Sequence, residues 1–398
     1  MIKDYTPSQR RVADFVSQGR NMVILGKPGT GKTELIRDIA ERERKKGKTV
    51  LMTASTGLAA SSLDGGRTIH SVLGWKPKNP FPDLDRACAL LSSADILIID
   101  EVSMLTPGIM YHIAACLHHV EKPIQIIFCG DFFQLPPVNP KKLRIYPFDT
   151  SAWKELNPVP CVLDEIVRQA DPEFKYELEL AMVADPRCIR YFNTKTAGKP
   201  IDGAVTLCTN NKDADSINKK KLDALTGCER KYAARGDVDM ANFSDSRVKK
   251  TFSAKLGMRV MALWNDSAYR YQNGSMGTIK SMSDDTITVQ YDNGNEVDMQ
   301  RITYAIDNIE KGKTAVSIEQ FPLRAAYAIT IHKSQGQTFD YINIKAPHCW
   351  EPGQLYVALS RARSVNGIYL MDKITEDSLI TDTRVKEYYN SLKNGYVA

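Results

Sequence analysis

Residues 26–33 of this chain read Gly26-Lys27-Pro28-Gly29-Thr30-Gly31-Lys32-Thr33. An apolar run at residues 22–25 precedes the stretch, and a charged stretch with helical spacing follows at 34–46. A strand that turns through glycines into a helix points several backbone N–H groups at one spot, where the helix N-terminus adds partial positive charge. The stretch therefore predicts an α/β fold with a loop that binds the phosphates of a nucleoside triphosphate.

The pattern G-x-x-x-x-G-K-[ST] also assigns roles within the loop. Gly29, Thr30 and Gly31 are expected to form the phosphate cradle. Lys32 is expected to reach the β- and γ-phosphates, and the Thr33 hydroxyl is expected to hold Mg²⁺. The motif predicts ATP and Mg²⁺ as cofactors, but it does not say what the energy drives.

Composition sets the class of protein. The chain has 398 residues, enough for two or three domains, with 43% hydrophobic and 25% charged residues, as in soluble globular proteins. The formal net charge of +6 is compatible with a nucleic-acid partner. No apolar run approaches the roughly 20 residues that cross a bilayer, and the first residues lack a signal core. These features predict a cytoplasmic protein without a membrane partner.

The first 165 residues alternate between strand and helix patterns. All of the predicted strands but the last, which is short, are near-continuously apolar, as expected for central parallel strands covered on both faces. They lie at residues 22–25, 49–53, 96–100, 124–129 and 162–163. The pattern predicts an open parallel sheet whose functional loops lie at the carboxyl ends of its strands.

A second α/β pattern occupies the C-terminal half and is interrupted. Its predicted strands lie at residues 204–208, 259–263, 325–329, 341–344 and 368–371. Between them, short strands joined by hairpin turns predict a small antiparallel barrel at 267–318. The predicted domains are therefore 1–165, 166–266 with 319–398, and the insertion 267–318.

Two acidic residues, Asp100 and Glu101, end a predicted buried strand. At the carboxyl end of a strand beside the phosphate loop, Asp100 can bind Mg²⁺ and Glu101 can polarise the attacking water. The alternative is a helix cap with no catalytic role.

Three further side chains fit triphosphate hydrolysis. Gln134 follows the next strand and can hydrogen-bond the γ-phosphate, although a proline-rich turn packed by two phenylalanines explains the same string. Arg168 and Arg361 can stabilise transition-state charge as arginine fingers. For either arginine alone a structural salt bridge is the simpler reading, but as a pair they favour an ATP site between two lobes.

The remaining candidates carry weaker signals. Gln9, one short helix before the phosphate loop, has the donor and acceptor that match an adenine edge. Small hydroxyls, histidines and a lysine stand at predicted strand ends, where they can grip the phosphates of a single strand or simply cap the strands. These candidate DNA contacts are Thr56, His70, Thr330, His332 and Lys333.

In chain order these motifs resemble the Pif family of superfamily-one helicases, the branch that also contains RecD and Dda. The resemblance rests on Gly-Lys-Pro-Gly-Thr-Gly-Lys-Thr, Ile-Ile-Asp-Glu-Val-Ser-Met, Asp-Phe-Phe-Gln-Leu-Pro-Pro-Val, Val-Arg-Gln, Thr-Ile-His-Lys-Ser-Gln-Gly-Gln-Thr-Phe-Asp and Tyr-Val-Ala-Leu-Ser-Arg-Ala-Arg, and it spans residues 6–371. It implies two RecA-like motor domains, the second with a small β-barrel insertion. It further implies 5′→3′ movement of a monomer on single-stranded DNA and unwinding of tailed or forked duplexes, with possible roles in replication, repair or recombination.

The resemblance implies, for the candidate residues, the same roles that the chemistry of their side chains indicates. Two segments are shorter than is usual for the family: the one before the Gly-Asp-Phe-Phe string, and the wedge-type insert at about 58–82. A short wedge favours an alternative, a single-stranded-DNA translocase that remodels protein–DNA complexes. An ATP-gated nucleic-acid-binding switch is a second alternative, and a small-molecule kinase explains the C-terminal half least well.

Overall fold

The computed structural model describes residues 5–74, 84–137, 144–165, 171–236, 249–306 and 316–395. These residues form two compact units. One comprises the chain up to Asp202 and from Ile331 onward, and the other runs from Gly203 to Thr330. The predicted domain boundaries at 165/166, 266/267 and 318/319 stay predictions.

The N-terminal part is built on a six-stranded parallel sheet with the order β3-β2-β4-β5-β1-β6. Its strands are β1 (Met22–Gly26), β2 (Val50–Ala54), β3 (Arg67–Thr68), β4 (Ile96–Asp100), β5 (Gln125–Gly130) and β6 (Val159–Leu163). Its helices are α1 (Pro7–Ser17), α2 (Lys32–Lys45), α3 (Gly57–Ser61), α4 (Ile69–Val72), α5 (Leu84–Ser92), α6 (Pro107–His119), α7 (Ser151–Leu156), α8 (Pro172–Met182) and α9 (Cys188–Lys195). The predicted parallel sheet is confirmed.

Two hydrophobic cores, one on each face, explain why the central strands are continuously apolar. In β1, Val23 and Leu25 pack into one core, whereas Met22 and Ile24 pack into the other. Because successive side chains of a strand point to opposite faces, both sets are buried. An all-parallel sheet covered by helices on both sides requires this pattern.

The middle unit is mostly antiparallel. Its elements are β7 (Val205–Cys208), α10 (Asn211–Ala224), β8 (Arg230–Ala233), β9 (Thr251–Ala254), β10 (Arg259–Ala262), β11 (Met276–Met282), β12 (Ile287–Tyr291), β13 (Glu296–Met299), β14 (Ile302–Ile306), β15 (Val316–Gln320), β16 (Leu323–Ala325) and β17 (Ala328–Thr330). A five-stranded antiparallel sheet has the order β13-β12-β11-β10-β16, and β17 pairs in parallel with β7. Two further antiparallel pairs are β8 with β9 and β14 with β15.

Two predictions for this unit need correction. Strand β10 was expected to continue the parallel pattern, but it pairs antiparallel with β11 and β16. The stretch 325–329, expected as one strand, is divided between β16 and β17. The predicted hairpins at 277–302 are confirmed, whereas a closed barrel is not found among the described strands, where β13 and β16 lie at the edges of the sheet.

The C-terminal part returns to the first unit. It comprises β18 (Ile342–Lys345), α11 (Gln354–Ser360), β19 (Ile368–Leu370) and α12 (Thr383–Gly395), with β18 and β19 parallel as predicted. Helix α12 packs into the same core as β5, and the ring of Tyr388 stacks on that of Phe148 with centroids 4.4 Å apart. None of the described helices is long and apolar enough to cross a membrane.

Gly353 marks a close approach between the start of α11 and the chain after β5. Its φ is 75°, and a Cβ atom added there would lie 2.2 Å from the carbonyl oxygen of Phe133. Gly336 has a similar φ of 78°, but a Cβ atom there would meet nothing within 4 Å. Alanine substitutions at these two positions can therefore distinguish the cost of backbone strain from the cost of a steric clash.

We expect Gly353→Ala to destabilise the protein clearly more than Gly336→Ala. The left-handed conformation costs an alanine about 1–2 kcal/mol at either site, and the clash at residue 353 should add about 1–3 kcal/mol, as overpacking does. Urea denaturation followed by circular dichroism measures both free energies of unfolding. Equal losses would show that α11 can move away from the Phe133 carbonyl at no cost.

Candidate active site

The phosphate loop leaves the carboxyl end of β1, between β5 and β6. Gly29 and Gly31 have φ values of 86° and 76°, which glycine adopts without strain, and Gly31 immediately precedes α2. Lys32, the first residue of α2, turns its side chain back over the loop. Its Nζ donates hydrogen bonds to the carbonyl oxygens of Gly26 at 2.7 Å and Lys27 at 3.0 Å. The loop thus has the predicted shape, with the ammonium group over its backbone.

Thr30 and Thr33 serve different purposes in this loop. Thr30 is buried, and its hydroxyl donates to the carbonyl oxygen of Lys27 at 3.0 Å, which fixes the turn. The Thr33 hydroxyl donates to Oδ2 of Asp100 at 3.3 Å. A hydroxyl and a carboxylate oxygen side by side are the hard oxygen ligands that Mg²⁺ prefers. The residues present therefore fit the implied metal ion.

Asp100 and Glu101 are buried at the carboxyl end of β4. Oδ1 of Asp100 accepts the backbone N–H of Glu101 at 2.8 Å, and Glu101 has a left-handed backbone with φ of 55°. Glu101 precedes a short 3-10 helix, Val102–Met104, but makes no side-chain cap to it. Its Oε2 has no hydrogen-bond partner within the described parts of the chain. A helix cap therefore does not account for Glu101.

The electrostatics of this pair suit proton transfer. Burial, and then the charge of Asp100, raise the pKa of Glu101 to about 7, while Lys32 and Arg361 act in the opposite direction. Burial also raises the pKa of Asp100. A carboxyl group with a pKa near neutrality can accept a proton from water at physiological pH. Glu101 is therefore suited to the role of general base.

Arg361 lies beside Gln134. The residue is 2% exposed, its Nε donates to the carbonyl oxygen of Val357 at 3.0 Å, and its Nη2 donates to Oγ of Ser360 at 3.0 Å. Nη2 also lies 3.5 Å from Oε1 of Gln134, the outer limit of a hydrogen bond. The structure thus places one predicted arginine finger against the predicted γ-phosphate sensor. Arg168 lies outside the described residues.

Gln9 lies near the phosphate loop, but part of its side chain is committed. Its Oε1 accepts the backbone N–H of Thr6 at 3.1 Å, and its backbone N–H donates to the Thr6 hydroxyl at 3.3 Å, so the two residues form a capping box for α1. Its Nε2 would lie 3.9 Å from a Cβ atom added to Gly31. The amide nitrogen therefore faces the loop, and the adenine contact stays a prediction.

The predicted DNA contacts lie where strands of each unit end. In the first unit, Thr56 follows β2 and its hydroxyl caps α3, while His70 lies in α4 just after β3. His332 stacks on Trp350 with ring centroids 5.9 Å apart, next to the exposed Lys333. In the middle unit, Thr330 is buried at the end of β17. Capping explains the Thr56 hydroxyl, and all five DNA contacts stay predictions.

The structure also reveals residues that the sequence analysis missed. Nζ of Lys27, inside the phosphate loop, forms an ion pair with Oε1 of Glu179 in α8 at 2.5 Å. Asp131, one residue after β5, is buried and hydrogen-bonded to Tyr356 and Tyr389. Lys27 stood in the quoted motif and Asp131 in the string before Gln134, but nothing in the sequence indicated their partners.

Comparison with known proteins identifies the family of this chain. A family model described as PIF1-like helicase matches residues 5–179, and one described as UvrD-like helicase C-terminal domain matches residues 325–365. The ATP-dependent DNA helicase Pif1 of Bdellovibrio bacteriovorus is 32% identical over 417 residues, which is 98% of this chain and 92% of the relative.

The chain belongs to the Pif1-like helicase family.

Some members are longer, and solved structures share the fold. The human ATP-dependent DNA helicase PIF1 is 30% identical over 421 residues, but the match covers only 64% of it against 97% of this chain. A crystal structure of Bacteroides Pif1 bound to single-stranded DNA is 32% identical with a TM-score of 0.83, over 99% of this chain and 98% of that one. Pif1 helicase from Candida albicans is 27% identical with a TM-score of 0.86, over 98% and 100% of the two chains.

In this Pif1-like helicase, we expect the contribution of Glu101 to the stability of the free protein to fall as pH rises. Unfolded glutamate titrates near 4.5 and folded Glu101 at about 7, so the folded state binds the extra proton between these values and loses stability across them. Glu101→Gln should therefore stabilise the protein by about 1–3 kcal/mol at pH 8 and by little at pH 5.

Urea denaturation in buffer without nucleotide or magnesium measures both free energies. Glu121→Gln, at an exposed position after α6, is the matched control and should change neither value. Equal stabilisation by Glu101→Gln at both pH values would show that Glu101 is ionised throughout.

Proposed function

We propose that this Pif1-like helicase hydrolyses ATP with Mg²⁺, translocates 5′→3′ along single-stranded DNA as a monomer, and unwinds tailed or forked duplexes. The approach of Arg361 to Gln134 carries the proposal. A phosphate loop alone occurs in many nucleotide-binding proteins. A buried arginine brought from α11 to a strand-end glutamine is what a motor needs to sense the γ-phosphate. The polarity rests on family resemblance.

The architecture proposed for the motor is a pair of RecA-like domains. We assign residues 1–165 to the first domain and 166–266 with 319–398 to the second, which carries the insertion of antiparallel strands at 267–318. Support comes from the parallel pairs β7 with β17 and β18 with β19, and from the hairpins β11 to β13.

Each residue of the site has one task in the proposed reaction. Lys32 exchanges the carbonyl oxygens of Gly26 and Lys27 for phosphate oxygens. Thr33 and Asp100 would hold Mg²⁺, which neutralises the charge that develops on the phosphates when it is bound. Glu101 orients the attacking water and accepts its proton.

Gln134 and Arg361 complete the site. Gln134 hydrogen-bonds the γ-phosphate, and Arg361 stabilises the negative charge of the transition state. Loss of the γ-phosphate removes contacts made by both side chains. Since a ligand shifts a conformational equilibrium by its differential contacts, hydrolysis can alter how the protein grips DNA.

We expect Arg361→Ala to bind ATP normally but to lower the DNA-stimulated kcat by about 10³-fold or more, as loss of an arginine finger does. Arg363→Ala is the matched control, because Arg363 lies two residues further, is exposed and pairs with Asp340. Lys32→Ala should abolish hydrolysis while DNA binding persists. Steady-state ATPase and fluorescent-nucleotide titrations measure these effects, and an unchanged kcat in Arg361→Ala would exclude the finger role.

A strand-displacement assay tests the proposed activity directly. We expect ATP-dependent displacement of a duplex with a 5′ single-stranded tail and none with a 3′ tail, together with stimulation of the ATPase by single-stranded DNA. Removal of a protein block without strand separation would identify the translocase that a short wedge favours. An ATPase indifferent to DNA would contradict both functions.

A further inference from the structure

The carboxylate of Asp131 is an organising centre that the reaction above does not use. It is 1% exposed and accepts three hydrogen bonds: from the backbone N–H of Phe133 at 3.0 Å, and from the hydroxyls of Tyr356 and Tyr389, each at 3.3 Å. A buried carboxylate is costly unless donors surround it. Loss of one donor would therefore leave the carboxylate under-satisfied, and its surroundings would rearrange.

The two tyrosines come from different helices. Tyr356 belongs to α11, five residues before Arg361, and Tyr389 belongs to α12 near the end of the described chain. The Tyr389 hydroxyl also accepts the backbone N–H of Phe132 at 3.4 Å, and its ring lies against that of Phe133 with centroids 4.8 Å apart. Helix α12 is therefore fastened directly to the turn that follows β5.

The same turn displays the γ-phosphate sensor. The backbone N–H of Gln134 donates to the carbonyl oxygen of Asp131 at 3.1 Å, so both the backbone and the side chain of Asp131 shape residues 131–134. Gln134 then meets Arg361, which is held by the carbonyl oxygen of Val357 next to Tyr356. The contacts form a closed ring. It runs from Asp131 to Gln134 and on to Arg361, and it returns through Val357 and the neighbouring Tyr356 to Asp131.

We propose that Asp131, Tyr356 and Tyr389, which we call the Asp131 network, are positioning residues that hold Gln134 in register with Arg361. Through Tyr389, helix α12 thereby influences the rate of ATP turnover, although α12 itself supplies no group that reacts with ATP. The inference rests on the proposed function. Its physical basis is geometric, because a misplacement of about 1 Å in a reacting constellation can cost about 10²-fold in rate.

The test begins with Tyr389→Phe, which removes one hydroxyl and keeps the ring on Phe133. We expect kcat to fall about tenfold, with the KM for ATP changed less than about twofold, because the network acts on the transition state rather than on nucleotide binding. Tyr356→Phe should behave alike. Tyr111→Phe, at an exposed position of α6, is the matched control and should leave kcat and KM unchanged.

A second background separates positioning from general loosening. If the network acts through Gln134, then Tyr389→Phe should lower kcat by less than about twofold when Gln134 is already alanine, since coupled residues are not additive. The same loss in both backgrounds would overturn the inference, as would a wild-type kcat in Tyr389→Phe. A wild-type kcat in Gln134→Ala alone would instead remove the sensor role on which the proposed function depends.

Discussion

The register of three neighbouring parallel strands fixes the site. Ile99 of β4 lies opposite Phe128 of β5, and Leu25 of β1 lies opposite Gly130, so these strands end at one level. Because they are parallel, their carboxyl ends form a single edge of the sheet. The phosphate loop, the Asp100–Glu101 pair and the turn carrying Gln134 must therefore lie side by side. A shift in the register between any two of these strands would move the phosphate loop away from the carboxylates of Asp100 and Glu101.

Burial gives this edge its chemistry. Burial raises the pKa of Asp100, Glu101 and Asp131, and the positive charge of Lys32 opposes the increase at each of them. These carboxyl groups are distinguished by their partners: Asp100 faces a hydroxyl, Asp131 faces two tyrosines, and Glu101 has an oxygen without a partner among the described residues. The proposed roles of metal ligand, general base and turn-shaping residue thus fall to similar side chains that differ in their partners.

The sequence predicts whatever is encoded by contiguous patterns. The phosphate loop, the acidic strand end and Gln134 each follow an apolar run, so their place at the sheet edge follows from parallel topology. Strand β10 was mispredicted because a short apolar run looks alike in parallel and antiparallel pairs. The link from Tyr389 to Asp131 spans 258 positions, and an aromatic residue on a helix gives no signal of its partner. Gln9 shows that the sequence also cannot tell which role a side chain serves, since a single amide can cap a helix and face a ligand.

We propose that one γ-phosphate joins the loop of Lys32 to the side chain of Arg361. A crystal structure with Mg²⁺, ADP and aluminium fluoride tests it most directly, since the fluoride imitates the phosphoryl group in transit. The expected structure has Nζ of Lys32 released from the carbonyl oxygens of Gly26 and Lys27, and the fluoride contacting Lys32, Gln134 and Arg361 together. A fluoride bound by the loop alone, with the Arg361 guanidinium keeping its contacts to Val357, Ser360 and Gln134 and making none to the fluoride, would contradict this proposal.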